Sequence, residues 1–202
     1  MGHRVALLRQ GGFILALCLL LAVGSTPARA AGATPTEQLK ETIDQVLVIL
    51  ARGEGDRAAR IARIIRPRFD FTTMAQLTLH KFWKEQSAAD QARFLELFPR
   101  LLEKTYIAKM SLYESPRVEY LRERRAEDKA EVETRVVVNN TALLVSYRMH
   151  CQEGAWRIYD VNVEGVSLVR NYRSQLTAML EQGGFATLLA RIEEKIRAAG
   201  AG

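Results

Sequence analysis

From Thr34 to Tyr106 apolar residues recur every three or four positions, the spacing of helices that bury one face. Leu39, Ile43, Val46, Leu47 and Leu50 form the first stripe. It opens on Thr34-Pro35-Thr36-Glu37, with Thr at the cap, Pro at the first helical position and Glu placed to return the cap's hydrogen bond. Gly53 and Gly55 predict its end, and Ile61, Ile64 and Ile65 predict a short second helix that stops before Pro67. A third segment opens at Phe69-Asp70-Phe71, with Met74 and Leu77 on one face. Ser87-Ala88-Ala89-Asp90 predicts another cap before the strongest stripe, Phe94, Leu97, Phe98, Leu101, Leu102 and Tyr106. Pro99 lies inside that stripe and has no N–H to offer the Leu95 carbonyl, a loss of ~3 kcal/mol in a regular helix. A kink or a broken turn is therefore expected near Leu95.

From Pro116 the period changes from 3.6 to 2. Val118 and Tyr120 alternate with charged neighbours, as do Val132, Thr134, Val136 and Val138 against Glu131, Glu133 and Arg135. Asn139-Asn140 predicts a tight turn, Leu143, Val145, Tyr147 and Met149 the next strand, and Gln152-Glu153-Gly154 a turn into Trp156 and Ile158. The pattern is a meander of about four antiparallel strands with one buried face. After Glu164-Gly165 the helical period returns with Leu168, Tyr172, Leu176, Met179 and Leu180, breaks at Gly183-Gly184, and resumes with Phe185, Leu188, Leu189, Ile192 and Ile196. The fold class is α+β: helices over 36–110, a curved antiparallel sheet over 116–163, and C-terminal helices over 165–198.

The first thirty residues read as an address rather than as fold. Arg4 and Arg9 precede an uncharged run from Gly11 to Val23, and Pro27-Ala28-Arg29-Ala30 follows as a cleavage pattern, so residues 1–30 are expected to be a secretory signal peptide. The run is short of the ~20 residues a membrane span needs. Cys18 is not read as a lipidated residue, because a leucine precedes it and the apolar run continues past it. The remaining 31–202 fit a single domain secreted to the periplasm. Cleavage after Ala30 leaves 26 basic and 23 acidic side chains, a net charge of +3 that does not make a nucleic-acid footprint. It also leaves Cys151 as the one thiol, so no intrachain disulfide forms and the core alone must hold the fold. Nothing in the charge or the single domain demands association, and a monomer is expected.

Candidate chemistry is sparse. His80 and His150 are 70 residues apart with no metal-ligand neighbour at short spacing. His150 and Cys151 are adjacent on a strand and so point to opposite faces, which prevents a direct nucleophile–base pair; a buried, inert thiol is expected. Gly165-Val166-Ser167-Leu168-Val169 lacks the second glycine of a nucleophile elbow, and no phosphate-cradling loop is present. Asp160 and Glu164 are expected to be solvated strand-end carboxylates, and the Arg122-Glu123-Arg124-Arg125 run a solvated hairpin tip. No catalytic and no metal residue is assigned. What remains is apolar lining, which suits a core or an enclosed ligand.

Phe69-Asp70-Phe71-Thr72-Thr73-Met74, Phe82-Trp83, Gln91-Ala92-Arg93-Phe94, Phe98-Pro99-Arg100-Leu101-Leu102 and Thr105-Tyr106 recur in a familiar order. They are followed by Trp156-Arg157-Ile158-Tyr159-Asp160-Val161, Val163-Glu164-Gly165-Val166-Ser167-Leu168 and Asn171-Tyr172-Arg173. Together these resemble the MlaC family, also called the toluene-tolerance auxiliary proteins, over roughly residues 36–197. Pro99 departs from the family pattern, in which a helix-compatible residue is usual. The resemblance implies a nuclear-transport-factor-2-like sheet with helices around an apolar cavity, and a periplasmic phospholipid carrier rather than an enzyme. It implies two partners: an outer-membrane lipoprotein–porin complex, and an inner-membrane ABC transporter with an MCE subunit. The service is maintenance of outer-membrane lipid asymmetry, and the phospholipid is cargo rather than cofactor. One branch of the family is linked to hopanoids, and the residues do not separate the branches.

A phospholipid carries roughly 30 methylenes worth ~0.8 kcal/mol each, so bare transit through water faces a barrier on the order of 20 kcal/mol. A carrier removes that barrier with an apolar lining alone. The resemblance puts Val166 against the acyl chains. Periodicity adds Phe71, Met74, Leu97, Leu101, Tyr106, Val145, Tyr147, Tyr159 and Tyr172, without separating cavity lining from plain core. Two other readings stay open: a pocket enzyme using Asp160 with Tyr147 or Tyr159, and a ligand-free periplasmic adaptor that docks by its basic hairpin.

Overall fold

The computed structural model describes residues 32–52 and 55–199; the expected signal peptide and Gly53 lie outside the described residues. Helix α1 (Pro35–Arg52) starts on the reciprocal cap: the Thr34 N–H donates to the Glu37 carboxylate at 2.7 Å, and the Glu37 N–H donates to the Thr34 hydroxyl at 3.1 Å. Asp56 caps α2 (Arg57–Ile65), and Pro67 sits in the tight turn Arg66–Arg68 that ends it. Asp70 caps α3 (Phe71–Leu79), the short α4 (Lys81–Lys84) follows, and Ser87 caps α5 (Ala88–Leu102).

The expected break near Leu95 does not occur, because α5 is helical through Leu95 and Pro99. Phe94, Leu97, Phe98, Leu101 and Leu102 are buried on both sides of the proline, and that packing holds the helix across the missing bond. The departure from α geometry comes one turn later, in a wide π turn (Glu103–Ile107) ahead of α6 (Ala108–Met110).

The sheet runs β1 (Arg117–Ala126), β2 (Lys129–Val138), β3 (Thr141–Gln152), β4 (Ala155–Val163) and β5 (Val166–Ser167), antiparallel and in sequence order. A two-residue fifth strand thus joins the four expected. Three of its connections are two-residue loops with both residues left-handed: Asn139-Asn140 (φ 50° and 64°), Glu153-Gly154 (51° and 83°) and Glu164-Gly165 (50° and 82°). Those are the turns whose twist matches that of paired strands. Register is regular except at two bulges, one at Leu121 in β1 and one at Tyr159 in β4.

Helix α7 (Leu168–Ala198) bends at Gly184, whose φ of 70° and ψ of −177° are not helical, as the Gly183-Gly184 pair predicts. Three clusters make the core. The first joins α3, α5 and α7. The second seats Leu39 of α1 on Ala130, Val132, Met149, Trp156 and Ile158 of the sheet. The third closes α1 on α2 and the π turn through Val46, Ile49, Leu50, Ile61 and Ile107.

Candidate functional site

Strand alternation divides the sheet into two unlike faces. One face carries Arg117, Glu119, Arg122, Arg124, Glu131, Glu133, Arg135 and Arg148. The other is apolar apart from Glu123 and Arg125 on the edge strand β1, and crosses the strands in rows. Val118, Val136 and Leu143 form one row, Tyr120, Thr134, Val145 and Val163 the next, and Val132, Tyr147 and Val161 a third. Val166 stands opposite Val163, so β5 extends the same face.

This apolar face is covered unevenly. Leu39 and its neighbours close the end that carries Trp156 and Met149. Towards the other end, Val118, Val136, Leu143 and Val161 stay only half-buried, and Val163 and Val166 are 40% and 60% exposed. Apolar surface left wet forgoes about 25 cal/mol per Å². A fold that keeps a continuous apolar strip partly open has a surface for an apolar ligand.

Three hydroxyls stand on that floor. Thr134 is fully buried, and its hydroxyl donates to the Val145 carbonyl at 3.3 Å. Burial pushes the Tyr147 phenol up, and the Thr134 hydroxyl partly offsets this. The Tyr120 hydroxyl is buried with no hydrogen-bond partner among the described residues. Its phenol is pushed up by burial, then by the Asp44 carboxylate and Tyr147. Tyr106 on the π turn is 42% exposed and lies near Tyr172 of α7. Burial and Tyr172 push its phenol up to about 12.

The candidate residues separate into two groups. Val145, Tyr147 and Val166 lie together on the apolar face. Met74, Leu97, Leu101 and Tyr172 are buried in the helical cluster, with Tyr172 edge-on to Phe98 at 5.7 Å. Phe71 stacks on Phe69 at 5.7 Å and, like Tyr159, packs half-buried against the same cluster. Val118, Tyr120, Thr134, Val136, Leu143, Val161 and Val163 complete the floor. They follow the same alternation that marked Val145 and Tyr147, and the strand pairing implied by the three turns would have found them.

The remaining chemistry is structural. Asp160 is not solvated as expected: it is 5% exposed, accepting from the Ser167 hydroxyl at 2.7 Å and the Val169 N–H at 3.1 Å. The β4 bulge moves it off the apolar face, opposite Arg148 and under the first turn of α7. Tyr147 pairs with Val161 on the other face, so Asp160 and Tyr147 cannot meet in one pocket. Glu164 is exposed and accepts from the Leu144 N–H. His150 Nε2 lies 2.9 Å from the Asp70 carboxylate, and Cys151, on the opposite face, is half-buried rather than buried. Two open depressions flank α2, of about 310 Å³ beside α1 and about 410 Å³ beside Leu112, and neither is lined by a candidate residue.

A family model described as "MlaC protein" matches residues 39–194. The intermembrane phospholipid transport system binding protein MlaC of Haemophilus influenzae is 24% identical over 122 residues, an alignment covering 57% of this chain and 57% of that protein. The chain therefore spans a little over half the length of this curated relative. A phospholipid-binding protein of Ralstonia solanacearum, solved in complex with a phospholipid, superposes with a TM-score of 0.75 at 24% identity over 83% of this chain and 99% of that one. The likeness establishes the α+β fold, a curved antiparallel sheet packed with helices.

Proposed function

The chain belongs to the MlaC family, and from that premise we propose that it is a periplasmic lipid carrier. It holds the acyl chains of a phospholipid against the apolar sheet face and moves the lipid between the outer and inner membranes. One observation carries the reading: the apolar strip from Val118 and Leu143 to Val163 and Val166 is left half-covered in an otherwise packed fold. Binding needs no catalytic group, and the one buried carboxylate of the sheet caps a helix. The phospholipid bound by the Ralstonia protein and the transport role named for the Haemophilus protein support the same reading. Its partners are a lipoprotein–porin complex at the outer membrane and an MCE-containing ABC transporter at the inner one, which set the direction of transfer.

The test is native mass spectrometry of protein purified without detergent, followed by extraction of the bound lipid. A mass excess that resolves into phospholipid is the expected result, and a polycyclic lipid would move the protein to the hopanoid branch. Val166→Glu should abolish the excess and leave the far-UV circular dichroism unchanged. Val166 is 60% exposed, so the new carboxylate is solvated until an acyl chain arrives. Desolvating it there costs several kcal/mol. A clean mass after incubation with liposomes refutes the reading, and lipid retained by the folded variant refutes the placement of Val166 against the acyl chains.

A further inference from the structure

On the apolar floor, the Tyr120 hydroxyl is buried and has no hydrogen-bond partner among the described residues. Thr134 already donates to the Val145 carbonyl. The two nearest charged groups are bound to each other: Lys40 Nζ meets the Asp44 carboxylate at 2.6 Å, with the ammonium 5.8 Å from the Tyr120 ring centre. A buried O–H left without a partner is costly, and a native fold that keeps one needs a reason. We propose that the Tyr120 hydroxyl donates to an ester carbonyl oxygen of the bound lipid, so that the carrier distinguishes ester-linked from ether-linked chains. The inference rests on the carrier reading above and adds the polar atom that the site recognises.

The chemistry of the surroundings selects that atom. The ligand group must be an acceptor, because the orphan is a donor. It must also be neutral: the Tyr120 hydroxyl is buried on an apolar floor, and a phosphate or a carboxylate brought there would lose its hydration. Between the tails and the head group of a diacyl phospholipid, the neutral acceptors are the ester carbonyls. Tyr120 starts the row that continues through Thr134 and Val145 to Val163, with Val166 beyond it. An ester held at the β1 end therefore lets its hydrocarbon lie across the floor towards the exposed valines.

The experiment measures binding of diacyl phosphatidylethanolamine and of its dialkyl ether analogue, with matched chains and head group, by displacement of a fluorescent phospholipid. One hydrogen bond from an otherwise unsatisfied donor predicts about a tenfold preference of the unmodified protein for the diacyl lipid. Tyr120→Phe should weaken diacyl binding to the dialkyl level and leave dialkyl binding unchanged. Equal affinities in the unmodified protein, or a preference that survives in Tyr120→Phe, overturn the inference and leave the carrier reading standing. Failure of both lipids to displace the probe overturns both readings. The first comparison requires no variant, so it holds whatever happens to the folding of Tyr120→Phe.

Discussion

Replacing Asp160 with alanine separates a structural carboxylate from a reactive one. In the fold, Asp160 accepts from the Ser167 hydroxyl at 2.7 Å and from the Val169 N–H at 3.1 Å, at 5% exposure. Ser167 in turn accepts from the Arg170 N–H at 3.1 Å, so Asp160 orients the cap of α7 as well as satisfying one of its first N–H groups. A hydrogen bond to a charged group contributes about 1.5–3 kcal/mol, and alanine removes two while leaving the Val169 N–H without a partner. Relief from holding a charge out of water offsets part of that loss. The net cost should be about 3 kcal/mol, or about 6–12 °C in Tm for a domain of this size. Asparagine keeps the shape: its oxygen can accept from Val169 and its amide can donate to the Ser167 oxygen, so its cost should be about 1 kcal/mol. Urea unfolding followed by far-UV circular dichroism reads both variants. Lipid bound per folded molecule should stay unchanged in each, since the carboxylate points away from the apolar floor. An unaltered unfolding midpoint for Asp160→Ala, or equal losses for the two variants, refutes the argument.

Asp70 should make the fold sensitive to acid. Burial alone would raise its carboxyl, but hydrogen bonds from the Thr73 hydroxyl and N–H, then the electrostatic pull of His150, then a hydrogen bond from Gln152, outweigh burial and hold it below the ordinary value of about 3.8. A carboxyl depressed in the folded state stabilises the fold above its unfolded value, and that contribution is lost as pH falls through the folded value. The urea midpoint of the unmodified protein should therefore drop below pH 4 more steeply than that of Asp70→Asn, and parallel curves would sink the assignment. Gly184 turns α7 with a φ of 70° and a ψ of −177°, a region that side chains avoid. Gly184→Ala should cost about 1–3 kcal/mol by thermal melt even though open space surrounds the site; an unchanged Tm would mean that the bend relaxes freely.

Features governed by neighbours in sequence were legible before the structure. The Thr34–Glu37 cap, the Ser87 cap and the Asn139-Asn140 turn each depend on a few adjacent residues, and all three form as read. Pro99 was misread because its local cost is real but is exceeded by long-range packing of Phe94, Phe98 and Leu101. Asp160 was misread for a similar reason: a bulge at Tyr159 shifts the register of β4, and a carboxylate that looked like a wet strand end passes under α7 instead. Periodicity identifies which face of an element is apolar but not whether the space before it is filled. That is why Met74 and Leu97 carry the same sequence signal as Val145, although the first two are packed among helices and the last lies on the sheet floor.

The division of the core into three clusters explains how a fold can keep such a floor open and remain stable. Cohesion is placed elsewhere: α3, α5 and α7 pack on one another, and α1 joins one end of the sheet to α2. The floor itself is fixed by the ladder of β1 to β4, whose backbone bonds do not depend on what covers the side chains. Methyl and methylene groups on a rigid sheet offer an acyl chain contact without directional demand, so chains of different length gain in proportion to the area they bury. Selectivity must then come from the few polar atoms near the floor, and the Thr134 hydroxyl is already bonded to the Val145 carbonyl. Tyr120 keeps a buried O–H without a partner among the described residues, which makes it the group on which discrimination between lipids turns.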